Sequence, residues 1–258
     1  MQRRRASRAD VGTGALIGEA PGPPAFDGTA AESPGRLSIA PMTRLILVRH
    51  GESNVAVERL ISSGRTCTGL SELGRRQAAA LAERWSKHVE VRADLLVTSD
   101  YRRAIETADA LSPVLGLPIV QMAAFGEHDP GPEVEGLTYA EFTQRYPNFQ
   151  WDDDPYLAGF PGGETVAAFR FRVGTALGEL LRDEAGKTTV IVCHGGVIDT
   201  IFRRLLNTPI SGIFELYTLN TAVSEFTLTD RNTWSVVRYN DAAHLDGLPE
   251  ATVPPHRD

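Results

Sequence analysis

Along the chain, short runs of consecutive apolar residues alternate with longer stretches in which apolar residues recur every three or four positions. The first pattern marks strands covered on both faces, the second amphipathic helices. Their alternation predicts an α/β fold with a mostly parallel central sheet and helices on both faces. Strands are expected at Arg44–Val48, Asp94–Thr98, Pro118–Val120 and Thr188–Cys193. Between the first two, SELGRRQAAALAERW sets Ala78, Leu81, Ala82 and Trp85 on one helical stripe, with Ser71 as N-cap and Glu72 suited to the positive helix start. The segment Tyr101 to Leu115 aligns Ala104, Ala108, Leu111 and Leu115, and Glu164 to Arg182 aligns Val166, Phe169, Val173, Leu177 and Leu180. Gly196 to Leu206 aligns Val197, Ile201 and Leu205, and Phe214 to Tyr239 reads as strands or a hairpin at the sheet edge.

Three regions break the alternation. Gln121 to Gly163 has little periodicity but holds seven of the nineteen aromatics between Tyr139 and Phe160, so an insertion at 121–163 is expected to form a small core of its own, a substrate lid, or both. Residues 1–42, rich in Pro, Gly, Ala and Ser, read as a disordered extension, with Met42 as the expected natural start. The tail, 241–258, is expected to be flexible, which leaves 43–240 as the folded domain.

Composition narrows the function. A chain of 258 residues with a formal net charge of -7 lacks the basic surplus of a general nucleic-acid binder, so phosphate chemistry would have to rest on a few focused cations. No apolar run is long enough for a membrane span. The two cysteines, Cys67 and Cys193, lack metal-site or disulfide spacing, which suits a reducing, cytoplasmic setting.

The chemistry-bearing residues fall at three strand-to-helix junctions: RHGES after the first strand, SDYRRA after the second and CHGG after the fourth. Ligands of open α/β sheets collect at the carboxyl ends of strands, so the three junctions can face one crevice. They bring Arg49, His50, Arg102 or Arg103, and His194. Two imidazoles and two guanidiniums without a carboxylate cluster make a poor metal site and a good anion site. Glycine beside each histidine lets a ligand approach the backbone, and Gly51 is expected to clear space for phosphate.

LVRHGES, TSDYRRAIETA, a Glu-containing loop, PGGET and VIVCHGG, in that order and with LSELGRRQA between the first two, resemble the histidine phosphatase superfamily, which includes the cofactor-dependent phosphoglycerate mutases. The resemblance spans about Thr43 to Asn240. It implies a phosphoglycerate mutase-like fold, His50 as nucleophile, Arg49 and Arg103 as phosphate ligands, and His194 with Gly195 completing the phosphate site. The general acid maps to Glu127, followed by the Glu135–Gly136 pair, with Asp129 as the alternative under a two-residue register shift. An asparagine common in the family six residues after the nucleophile is replaced by Ala56, leaving Asn54 as the nearest candidate for that phosphate contact. SSGRTCTG replaces mutase-like residues before Leu70, and Arg65 is the candidate substrate contact there.

A neutral imidazole suits attack on a dianionic phosphomonoester, and arginines suit the charge on its equatorial oxygens, so neither a metal ion nor another cofactor is expected. A carboxylic acid would protonate the leaving alkoxide. The expected function is hydrolysis of a small phosphorylated metabolite through a phosphohistidine. A phosphoglycerate mutase is the alternative, and a non-catalytic phosphate-binding or docking module a third. WDDDP, Trp151 to Pro155, is expected to repel highly anionic substrates, to attract an amine, or to serve as an acidic turn or helix cap.

Overall fold

In a computed structural model, residues 42–149, 154–209, 212 and 214–251 are described. Six strands form one sheet in the order β3-β2-β4-β1-β5-β6. They are β1 (Arg44–Arg49), β2 (Leu95–Thr98), β3 (Ile119–Gln121), β4 (Thr188–Cys193), β5 (Val223–Leu228) and β6 (Trp234–Asp241). The first four are mutually parallel, and the β5–β6 hairpin closes one edge antiparallel. The helices are α1 (Asn54–Val57), α2 (Glu72–Lys87), α3 (Arg102–Leu115), α4 (Tyr139–Arg145), α5 (Val166–Asp183) and α6 (Gly195–Leu205).

Strand alternation divides the core into two layers. Leu45 and Leu47 of β1 pack with Phe169, Val173 and Leu177 of α5 and Val197, Ile198 and Ile201 of α6. Ile46 and Val48, one residue out of phase, pack with Leu81 and Trp85 of α2 and Ala104, Ala108 and Leu111 of α3. Both faces are therefore covered, which is why β1 and β4 read as unbroken apolar runs. Ser71 caps α2, its Oγ accepting from Gly74 N at 3.0 Å.

The segment 121–163 forms a small cluster together with Ile61 outside it. Ile61, Val134 and Phe142 are buried together, with Tyr139, Tyr146, Phe149 and Phe160 packed around them. Its helix α4 carries a capping box between Thr138 and Glu141. Most of the WDDDP segment and the whole of 1–41 lie outside the described residues. Of that segment Asp154 is described, and its Oδ1 caps a turn by accepting from Tyr156 N at 2.9 Å.

The expectation of a flexible tail from Asp241 needs correction as far as Ala251. Asp241 closes β6 and pairs with Arg84 and Arg238. A one-turn helix at Ala243–Leu245 follows, and His244 Nε2 lies 2.9 Å from Thr221 Oγ1. Composition suggested looseness here, but the Asp241–Arg84 ion pair and the His244–Thr221 contact tie the start of the segment to distant parts of the chain.

Candidate active site

Register explains why residues nearly 150 positions apart meet. β1 and β4 are paired neighbours with Arg49 opposite Cys193, so the next residue on each strand, His50 and His194, emerges at the same sheet edge. Adjacent strands lie about 4.8 Å apart, and the two imidazole centroids are 5.1 Å apart. β2 lies on the other side of β4, and its carboxyl end leads through Ser99 and Tyr101 into α3, whose first turn carries Arg103.

His50 is held at both ring nitrogens and at its backbone. Nδ1 lies 2.7 Å from Gly51 O, an acceptor, so Nδ1 carries the proton. Arg103 Nε, a donor, points at Nε2 from 3.1 Å, which leaves the Nε2 lone pair on the side of the arginine. His50 N donates to Cys193 O and Asn220 Nδ2 donates to His50 O. Burial first, and then Arg103 and Arg49, push the His50 pKa well below its ordinary value, against the raising effect of the Gly51 bond. The ring is neutral at physiological pH.

His194 is the fully buried N-cap residue of α6. Its Nε2 lies 2.8 Å from Ser99 Oγ, which itself accepts from Tyr101 N. With the Ser99 hydroxyl donating to Nε2, Nδ1 carries the proton, and Nδ1 has no partner among the described residues. Burial, then Arg103, His50, Arg49 and Arg172, lower its pKa well below the ordinary value.

The two consecutive arginines of α3 separate by the 100° that one residue turns a helix. Arg102 is exposed and pairs with Glu106, whereas Arg103 is 6% exposed and faces the histidines with Nη1 unpartnered among the described residues. Arg49 is buried, and its Nη1 donates to Thr218 O.

Glu127 follows a one-turn helix at Ala123–Phe125. Its Oε2 accepts from Gly196 N and its Oε1 from His128 N, both at 2.9 Å, so the carboxyl sits over the start of α6. With Arg49, His50, Arg103, Gly195 and Gly196 it lines one cavity of about 830 Å³, whose wall also carries Ile61 and, from the insertion, Tyr139 and Phe160.

Four expectations change. Gly51 lies outside the cavity wall: a Cβ there would meet Gly74 O at 2.5 Å, so this glycine admits the backbone of α2 and not a phosphate. Asn54 opens α1, donates its N–H to Gly69 O and lies outside the wall, whereas Ser53 and Ala56 line it; the short helix turns Asn54 away. Arg65 pairs with Asp129 and Glu135 and lines a second cavity of about 670 Å³, which shares Glu127 with the first but not His50. Asp129 receives two bonds from Arg65, at 3.0 and 2.7 Å, and that guanidinium holds its carboxyl below the usual range, while Asp129 lines the second cavity and not the one with His50.

Sequence reading missed the supports. Ser99 orients His194, and Tyr101 packs edge-on against it with its hydroxyl donating to Glu127 O. Asn220 and Thr221 form a tight turn whose amides brace Arg49 and His50, with Thr221 buried at a φ of 55° that β-branched residues avoid. Arg172 of α5 donates to the carbonyls of Ala124, Gly126 and Glu127 and pairs with Glu164. Only the glycine pair after His194 carried a local signal: a Cβ at Gly196 would collide with Glu127 Oε1 at 2.4 Å. Among the described residues, no group of three or more His, Cys, Asp or Glu is placed to hold a metal ion, and no helix is long and apolar enough to cross a membrane.

Comparison with known proteins agrees with this geometry. The profile of the histidine phosphatase superfamily (branch 1) matches residues 45–242. The chain is 33% identical to phosphoglycerate mutase-like protein 4 of Arabidopsis thaliana over 208 residues, 78% of this chain and 86% of that one. It is 29% identical to a metal-independent phosphoserine phosphatase of the same plant over 213 residues, 80% of this chain and 85% of that one. The solved structure of Bacillus stearothermophilus YhfR superposes with a TM-score of 0.69 at 30% identity, covering 79% of this chain and 99% of that one.

Proposed function

This chain belongs to the histidine phosphatase superfamily, and from that premise we propose that it is a phosphoric monoester hydrolase acting on small phosphorylated metabolites through a phosphohistidine on His50. The observation that carries the reading is the pairing of two neutral, buried imidazoles at 5.1 Å beside two buried arginines, with His50, Arg49 and Arg103 lining one cavity. Hydrolysis, rather than return of the phosphoryl group to a second alcohol as in a mutase, is supported by relatives named as phosphatases.

The phosphoryl group seats against Arg49, Arg103 and His194 Nδ1–H. Arg103 exchanges its bond to His50 Nε2 for one to a phosphoryl oxygen, and the freed lone pair attacks phosphorus in line with the departing oxygen. The P–O bond to the alcohol breaks as the N–P bond forms. Charge on the equatorial oxygens meets donors already in place, so little reorganisation is needed. Glu127, as the acid, gives its proton to the departing alkoxide. As carboxylate it then takes a proton from water attacking the phosphohistidine, which releases inorganic phosphate and restores His50. Each step balances without a further reactant.

Turnover of an aryl phosphate by the wild type and His50→Ala, with circular dichroism as a fold control, tests this. The variant is expected to be inactive and folded, and the wild type to yield an acid-labile, base-stable phosphoenzyme. Wild-type turnover in a folded His50→Ala protein would refute the mechanism.

A further inference from the structure

Beyond the histidines, the cavity wall carries a second cluster of cations. Arg170 of α5 and Arg203 of α6 both donate to one oxygen, Asp199 Oδ2, at 3.0 and 2.8 Å. Two guanidiniums therefore share one carboxylate. Arg203 is otherwise satisfied, since Nη1 and Nη2 donate to the carbonyls of Pro209, Gly212 and Phe214. Arg170 is not. Its side chain is only 16% exposed, and neither Nε nor Nη1 has a partner among the described residues. All three residues line the cavity that holds His50, together with the exposed carboxylate of Glu215. A buried guanidinium left with unused donors is costly, and an incoming anion is its natural complement.

The orphaned donor of Arg103 in the same cavity has an explanation in the substrate phosphate. By the same logic the geometry points to Arg170 as a second anion subsite, so that the substrate is a phosphomonoester bearing a further anionic group, a carboxylate or second phosphate. This rests on the phosphatase reading above and deepens it. Arg170 and His50 line the same cavity, so the spacer length between the two anions is read from the substrate series.

The test uses ω-phosphooxy alkanoates of increasing spacer length, their methyl esters, and the matching bisphosphates. Each is assayed for phosphate release by wild type, Arg170→Met and Arg170→Lys, with thermal melts to verify folding. In the wild type, kcat/KM for the carboxylate is expected to exceed that for its methyl ester by about tenfold or more at the optimal spacer, as befits a charge-assisted hydrogen bond. That ratio is expected to fall to near one in Arg170→Met and to persist in part in Arg170→Lys. Because it is taken within one protein, loss of folded material does not alter it. The bisphosphate arm reads which anion the subsite takes. A wild-type ratio near one for carboxylate and bisphosphate alike, or a ratio undiminished in Arg170→Met, would overturn the subsite while leaving the phosphatase intact. Absence of turnover even of an aryl phosphate would overturn the phosphatase reading and the subsite with it.

Discussion

Gly196→Ala perturbs the proposed acid without touching it. The new Cβ would stand 2.4 Å from Glu127 Oε1 and 3.2 Å from its Cδ. Ordinary contact starts near 3.4 Å, so Oε1 must retreat by about 1 Å, and the bond from Gly196 N to Oε2 at 2.9 Å is strained or lost. The carboxyl is the free end of a flexible side chain, so it moves at little cost to the fold. Alanine in place of glycine even favours the helix, by up to about 1 kcal/mol. A 1 Å misplacement of a catalytic group costs on the order of 10²-fold, within the 10²–10⁴-fold that general acid catalysis contributes. The assay is kcat/KM, which reports events through formation of the phosphoenzyme, measured with an alkyl phosphate and with p-nitrophenyl phosphate. The alkyl ester needs a proton on its departing oxygen and is expected to lose about 10²-fold; nitrophenolate leaves unaided and is expected to lose less than about tenfold. A burst of nitrophenolate should precede slow steady turnover, because the same carboxylate activates water in the second step. Equal losses for the two esters, or none, would refute the assignment of Glu127 as the acid.

Other expectations follow from the same geometry. Both buried histidines have pKa values lowered from the ordinary 6.5, so below 6.5 the unfolded chain binds protons that the folded one does not. Stability is then fully present above that pH and is expected to fall as pH drops below it towards the folded values; melts between pH 7.5 and 5.5 should show this, and His194→Gln should reduce the slope. Activity towards an aryl phosphate, which needs neutral His50, is expected to have no acid limb at 6.5; a midpoint there would contradict a buried, arginine-flanked ring. Arg172→Gln frees the carbonyls of Ala124, Gly126 and Glu127, and is expected to lower kcat/KM for alkyl phosphates about tenfold or more with a smaller effect on aryl esters. Leu47→Ala, deep under α5 and α6, should cost about 2–5 kcal/mol in chemical denaturation; a loss below 1 kcal/mol would contradict the packing described.

The sequence by itself determined the layers and pointed to the strand-end residues. Two-sided burial forces unbroken apolar strands, and amphipathic periodicity marks their covering helices, so β1, β4, α2, α3, α5 and α6 were legible from local pattern alone. His50, His194 and one of Arg102 and Arg103 were legible because strand ends are where such sheets gather ligands, and the family resemblance singled out Arg103. Only the tertiary structure decided which residues stand behind them. Asn220, Thr221, Ser99 and Arg172 act through backbone carbonyls and ring nitrogens of segments distant in sequence, and no residue type or spacing announces such a bond. The same limit explains the misplaced residues: Asn54, Arg65 and Gly51 have the right chemistry at nearly the right positions, but a short helix, two carboxylates and the backbone of α2 claim them first. Local periodicity is a property of consecutive residues, whereas the direction a side chain faces and the partner that satisfies it depend on what the completed fold packs beside it.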